Sequence, residues 1–242
     1  TVVSVVVVRK SQFEAYRIAF GKSHIILALP ATMKIAQDDA AGVTAAAGGI
    51  GFARRFIQRF AHEKELRWVW MLDDNVQICY EVNVKSDGKE LVPCSFDRVM
   101  TAMERLVDPH DLESHKLLKR RQQQKGGGIN QRQPPASEAA SDLCLKDYVG
   151  SSDCGKEYGI IGINRDPVRL QRDCQEEIQK PFLASYSVYS FCYLNVAATC
   201  AAGVLYPCKQ WAEDVEFNHL VDEAGLRVCK VNLFCHAKKN LQ

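Results

Sequence analysis

Residues 67–76, RWVWMLDDNV, carry an apolar run that ends with no spacer on two adjacent carboxylates, Asp73 and Asp74. The aromatic and branched side chains of Arg67–Leu72 predict a buried strand. Acidic residues just past the carboxyl end of a parallel strand stand where open α/β sheets place ligands. Neighbouring side chains on extended backbone point to opposite sides, so one carboxylate can hold a cation while the other meets a second group. Hard cations such as Mg²⁺ and Mn²⁺ take carboxylate oxygens and are commonly shared with a diphosphate. The same Asp-Asp-Asn also suits a plain turn, because Asp and Asn side chains hydrogen-bond nearby backbone.

Working outward, Val5–Val8 is a β-branched run expected as a parallel strand buried on both faces. Phe13–Phe20 has helical spacing, and His24–Leu29 reads as a second strand stopped by Pro30. After a small-residue loop, Ala40–Gly49, the segment Ile50–His62 puts Ile50, Ala53, Ile57 and Phe60 on one face of an amphipathic helix. Strand, helix, strand, loop, helix, strand predicts an α/β fold with a mostly parallel central sheet flanked by helices. Downstream come a helix over Phe96–Leu106, stopped by Asp108-Pro109, and a strand over Tyr158–Ile163. A helix over Trp211–Ala224 is capped by Gly225, and a last strand, Val228–Cys235, is followed at once by His236.

The chain has 242 residues, 47% hydrophobic and 25% charged, which excludes a disordered, collagenous or coiled-coil protein. A formal net charge of +2 gives no argument for binding nucleic acid through bulk charge. Ten cysteines occur without any Cys-x-x-Cys, so no zinc ribbon or thioredoxin-like pair is available. Several lie in apolar runs and read as reduced, buried thiols of a nuclear or cytoplasmic protein. Thr1 in place of an initiator Met suggests a domain cut from a longer protein, and no signal peptide opens the chain. Between Lys180 and Lys209 lie 28 uncharged residues, long enough to span a bilayer. Their serines and four tyrosines favour two buried strands with a turn instead, so no membrane is expected. The segment 116–137, KLLKRRQQQKGGGINQRQPPAS, has six basic residues, five glutamines, a Gly triplet and a Pro pair. It reads as part of a flexible insertion at about 110–142 in an otherwise single domain over 1–242. The alternative for it is a nuclear-localisation or nucleic-acid arm.

Upstream of the acidic pair, Gly48-Gly49-Ile50-Gly51 leads into a helix start, where free backbone N–H groups favour an anion. Arg54 and Arg55 follow one turn in. Arg54 suits phosphate through its planar fork, and Arg55, about 100° round the helix, is expected in solvent. The loop also resembles the TGxxxGxG fingerprint of short-chain dehydrogenases. Against that, Ala45 replaces the first glycine, the loop follows the second strand, and no tyrosine has a lysine four residues later.

Small-Gly-x-Gly-x-Ala-Arg, a helix, then an apolar strand ending Leu72-Asp73-Asp74-Asn75 is similar to the inverting nucleotide-sugar glycosyltransferases of the GT-A fold. Trp211-Ala212-Glu213-Asp214 resembles their acidic motif that supplies the catalytic base, and His236 their C-terminal metal-binding histidine. The wording VVVVRKSQFEAYRIAFG, IGFARRFIQRFA and VWMLDDNV resembles a group related to the TET/JBP-associated glycosyltransferases. This resemblance implies a metal-dependent transferase with a UDP-sugar donor and Mn²⁺ or Mg²⁺. Its acceptor would be a hydroxyl on a protein or a hydroxymethylated DNA base, in a nuclear or cytoplasmic setting with nuclear protein partners. The implied roles are Asp214 as base, with Glu213 as the next candidate, and Asp74 on the metal, with Asp73 nearer the ribose or sugar. His236 is a further ligand, Arg9 and Ser11 line the uridine, and Gly49, Gly51 and Arg54 approach the diphosphate. Asn75, where many members carry a third carboxylate, supports the alternative of an inert domain serving as a binding platform in a transcriptional regulator.

Overall fold

The computed structural model describes residues 4–34, 44–46, 49–85, 88–107, 157–165, 182–184 and 188–238. In chain order the strands and helices begin β1 (Val5–Val8), α1 (Phe13–Phe20), β2 (Ile25–Ala28), β3 (Thr32–Lys34), β4 (Thr44–Ala46) and α2 (Gly49–Glu63). They continue with β5 (Trp68–Leu72), β6 (Val76–Lys85), β7 (Gly88–Cys94), α3 (Phe96–Val107) and β8 (Tyr158–Arg165). The chain closes with β9 (Phe182–Ala184), β10 (Phe191–Asn195), α4 (Val196–Ala201), α5 (Glu213–Glu223) and β11 (Arg227–Lys238). The expected insertion at 110–142 lies outside the described residues. The fold is mixed α/β, and it divides into two compact units: Thr1–Val69 with Asn195–Ala224, and Trp70–Leu194 with Gly225–Gln242.

In the first unit, β1 and β2 pair in parallel from Val5↔Ile25 to Val8↔Ala28, with α1 between them in sequence, as expected of a β-α-β unit. Among the described residues they form a two-stranded sheet, and within β1 Val8 alone is buried, so the strand expected to be buried on both faces is largely open. The expected loop Ala40–Gly49 contains β4, which pairs antiparallel with β3. The buried face of α2 departs from the expected one. Gly51, Phe52, Arg54, Arg55, Gln58 and Ala61 face inward, while Ile50 is exposed. Polar side chains can occupy such a face only when they are hydrogen-bonded. Gln58 meets this condition fully. Its Nε2 donates to Thr199 Oγ1 (3.0 Å) and the Val204 carbonyl (2.9 Å), and its Oε1 accepts from Tyr206 N (3.0 Å).

The second unit contains most of a seven-stranded sheet, ordered β5-β10-β8-β11-β6-β7 with β9 on β11. The expected mostly parallel sheet is corrected here. β8 and β11 pair in parallel, whereas β10–β8, β11–β6, β11–β9 and β6–β7 are antiparallel. The cause is local. No crossover helix follows β5; the chain turns through Asp73–Asn75 into β6, then returns as β7 after two residues. Alternating runs around Asp87-Gly88 are a hairpin signal, and the pairing Lys85↔Gly88 matches it. The sheet's core is branched and aromatic: Ile160, Ile161, Ile163, Phe191, Leu194, Val231 and Phe234 are all buried. Of the long uncharged stretch, β9, β10 and α4 are described, and among the described residues no helix is long and apolar enough to cross a membrane. Seven described cysteines are free thiols. Burial pushes Cys79 and Cys229 up to about 12, with Cys94 and Cys235 adding to the rise at Cys79.

Gly51 has a packing reason to be glycine. A Cβ there would collide with the Pro207 carbonyl oxygen and stand 2.7 Å from the Lys209 carbonyl, both backbone atoms that cannot swing aside. Gly225, by contrast, has open space but a φ of +77°. Gly225→Ala should therefore lose about 1 kcal/mol, the cost of a left-handed Cβ. Gly51→Ala should lose more, about 2–3 kcal/mol, as expected for overpacking against backbone. Urea midpoints of the two variants check the order.

Candidate active site

Asp73 and Asp74 sit in the turn between β5 and β6, closed by the Val76 N–H donating to the Asp73 carbonyl at 3.2 Å. The Asp73 N–H donates to the Ser190 carbonyl at 2.8 Å. Ser190 is buried and has a φ of +67°, a strained backbone for a residue with a Cβ. The Asp73 side chain is 13% exposed and accepts from Lys238 Nζ at 2.6 Å. Asp74 is exposed, and the Asn75 Oδ1 is buried with no hydrogen-bond partner.

His236 was expected just after the last strand but lies within β11, opposite Cys79 on β6 and Arg165 on β8. The strand is paired with both β6 and β8 at His236 and with β6 as far as Lys238, which carries the histidine into the sheet. Its ring is fully buried, 6.3 Å from that of Phe191, and no well-formed hydrogen bond reaches either ring nitrogen, the Asn164 backbone giving only a weak one. Burial lowers its pKa from 6.5 to about 4, helped by the Lys238 and Arg165 cations and opposed by Asp73 and the Asn164 backbone. Among the described residues no three His, Cys, Asp or Glu side chains gather as a metal-holding group. Asp73 is already paired with a cation and His236 is enclosed within the sheet, so these residues do not present the expected ligand set.

In the first unit, Arg54 is buried and its Nη1 donates to Glu213 Oε1 at 3.0 Å, with both side chains at most 6% exposed. The same nitrogen is 3.9 Å from Asp214 Oδ2, and the guanidinium lies 5.8 Å from the Tyr206 ring centroid. Tyr206 stacks on Phe217 of α5 at 3.7 Å. Arg55, expected in solvent, is buried and donates to the Tyr206 carbonyl at 3.2 Å. The helix start thus faces its own protein: Gly49, at φ +79°, lies against Gln210 just as Gly51 lies against Pro207 and Lys209.

Glu213 and Asp214 open α5, as the sequence suggested, but they differ in setting. Glu213 is sealed in its ion pair. Asp214 is 23% exposed at the side chain and accepts from the Val215 N–H at 2.8 Å. Ala212, just before them, has a φ of +56°, a second strained residue beside a candidate acid. Arg9 and Ser11 are both exposed at the end of β1, at and within a short 3₁₀ turn. Sequence reasoning missed Lys238 and Tyr206. A lysine two residues past a candidate histidine was the only signal for the first, and the second had none.

The family model of the TET-Associated Glycosyltransferases (TAGT) matches residues 1–139, and the chain belongs to this family. Its name supports glycosyltransferase activity, hence a nucleotide sugar and an acceptor. The match covers Arg9, Ser11, Gly49, Gly51, Arg54, Asp73 and Asp74 and ends before Glu213, Asp214 and His236. No curated protein matches the chain, and no solved structure does.

Two predictions come from this geometry. Arg54→Ala leaves Glu213 buried without its cation and should cost about 3–5 kcal/mol. Replacing both partners, Arg54→Met with Glu213→Leu, should recover part of that loss in urea titrations. The second concerns acid. Because the folded pKa of His236 lies below its unfolded value, the unfolded chain takes up the proton first. Stability present above pH 6.5 is then lost as pH falls through the window down to about 4. Measured in chelator, His236→Phe should remove up to about 3 kcal/mol of that acid-dependent loss.

Proposed function

We propose that this domain moves a sugar from a nucleotide-diphosphate donor, a UDP-sugar, to a hydroxyl on a protein or on a hydroxymethylated DNA base. The observation that carries this reading is the family match, which spans the acidic turn and the strand that delivers it. A family-wide match is specific where a two-residue acidic motif is not. The turn with Asp73 and Asp74 is the donor's diphosphate and sugar side in this reading; Arg9 and Ser11, expected at the uridine, are exposed at the end of β1 in the first unit. Gly49, Gly51 and Arg54 belong to the scaffold in this reading, because their own chain occupies them. Mn²⁺ or Mg²⁺ has no part in this reading, because the Asp73 carboxylate is already paired with the Lys238 ammonium.

In the inverting GT-A scheme the acceptor oxygen bonds to the anomeric carbon as the bond from that carbon to the diphosphate oxygen breaks. The electron pair leaves with UDP, and the hydroxyl proton passes to a carboxylate base. Asp214 suits this role better than Glu213. It is part-exposed, and a helix N-terminus favours its ionised form. Glu213 is committed to Arg54. A nuclear or cytoplasmic setting with nuclear partners goes with the protein or DNA acceptor. Asn75 favours a second reading, an inert binding platform of the same fold, since it is neutral where many members carry an acid.

Thermal stabilisation by UDP, followed by a screen of UDP-sugars for hydrolysis and transfer, separates the two readings. A transferase is stabilised by UDP and cleaves at least one donor; a platform does neither. Asp214→Asn should keep the UDP-induced shift while transfer falls by about 10²-fold or more, the usual size of a lost general base. Transfer within a few-fold of the parent would move the base elsewhere.

A further inference from the structure

The acidic turn comes with a cation built into the fold. β11 pairs antiparallel with β6 in regular register from Phe234↔Glu81 to Ala237↔Ile78, then shifts so that Lys238 stands opposite Val76. Gln77 is passed over, and such irregularities re-aim a side chain at the end of a ladder. Val76 is the first residue after the turn, so the shift delivers Lys238 to Asp73. Its Nζ reaches Asp73 Oδ2 at 2.6 Å with only 14% and 13% of the two side chains exposed. A surface lysine pair would be screened and mobile; this one is largely enclosed, on a strand still paired with β6 at Lys238 itself.

We propose that Lys238 is the cation of the donor site and the group that meets the diphosphate, in the position where a divalent metal was expected. The inference rests on the reading of the Asp73–Asp74 turn as the donor side. An ammonium has three N–H donors, so one can stay on Asp73 while others turn to phosphate oxygens. Asp73 then acts as a positioning residue that aims the lysine and offsets its charge. A divalent ion bound to Asp73 would stand beside this ammonium, like charge against like, with neutral Asn75 in place of a third acid.

Isothermal titration of UDP into the whole chain, with EDTA and with Mn²⁺, tests this, together with Mn²⁺ titrated alone. The parent should bind UDP equally well in both buffers and take up little Mn²⁺. Lys238→Met should bind UDP at least about 10-fold more weakly in EDTA, the loss expected for a charge-assisted hydrogen bond. It should bind Mn²⁺ better than the parent, because Asp73 is released, and added Mn²⁺ should restore part of the UDP affinity. Lys238→Arg, which keeps the charge, should stay within a few-fold of the parent and guards against a folding defect. Loss of parental UDP binding in EDTA, or undiminished binding by Lys238→Met, overturns the proposal. If the parent binds no UDP in either buffer, the transferase reading fails. Mn²⁺ alone then judges the cation site: equal uptake by parent and Lys238→Met overturns it.

Discussion

Strand β11 must satisfy hydrogen-bonding groups on both of its edges, and much of the second unit is a consequence of that demand. A strand buried within a sheet cannot leave backbone N–H or carbonyl groups unpaired without a cost comparable to a lost hydrogen bond each. β11 runs twelve residues and meets β8 in parallel, and β6 and β9 antiparallel. Its burial pattern leaves few positions open, so Val231, Phe234, Cys235 and His236 are all enclosed. A histidine in such a place cannot keep a charge. It is held neutral by desolvation and by nearby Lys238 and Arg165, and it packs as an aromatic against Phe191. Only where the pairing with β6 shifts, at Lys238, does a charged side chain emerge next to the acidic turn.

The first unit is organised by a polar constraint instead. α2 turns Arg54, Arg55 and Gln58 inward, and each finds an oxygen on α4, on α5 or in the segment between them. An isolated buried charge would be costly enough to expel or neutralise, so the Arg54–Glu213 pair is viable only as a pair. Its value here is positional. With Glu213 fixed and Tyr206 stacked on Phe217, the start of α5 has one arrangement relative to α2. Gly51 allows the two backbones to approach as closely as this requires.

Local elements were legible from residue patterns, and long-range ones were not. α1 occurs over the same residues that its spacing suggested, and RWVWML, the Phe96 helix and the acid-led helix α5 are close to expectation. These rest on short-range rules of periodicity and capping. The inward face of α2 was misread because periodicity takes apolar residues as the buried ones, whereas here Arg54, Arg55 and Gln58 are inside and Ile50 is out. The sheet was misread for a related reason. Strand direction depends on the connection, and the β-α-β rhythm of the first seventy residues says nothing of the short turns that join β5, β6 and β7. Of the candidate site, the acids Asp73, Asp74, Glu213 and Asp214 were identifiable because they stand at element ends. Their pairing with Lys238 and Arg54 was not, since partners 165 and 159 residues apart leave no trace in spacing.

Backbone strain stands beside two of these acids, Asp73 and Glu213. Left-handed φ at a residue with a Cβ costs of order 1–3 kcal/mol and survives only where the surroundings over-determine it. Glu65, exposed in the turn after α2, adopts it as well, with a φ of +55°. Ser190 adopts it in presenting its carbonyl to the Asp73 N–H, and Ala212 adopts it immediately before Glu213. At Ala212 no side-chain cap hydrogen bond compensates, so the helix entry is set by the next two residues, a sealed Glu213 and an open Asp214. In each unit the strained residue determines where an acid starts, and in each the neighbouring cation determines which acid is neutralised. Asp73 and Glu213 are the neutralised pair, which leaves Asp74 and Asp214 as the carboxylates still open to a ligand.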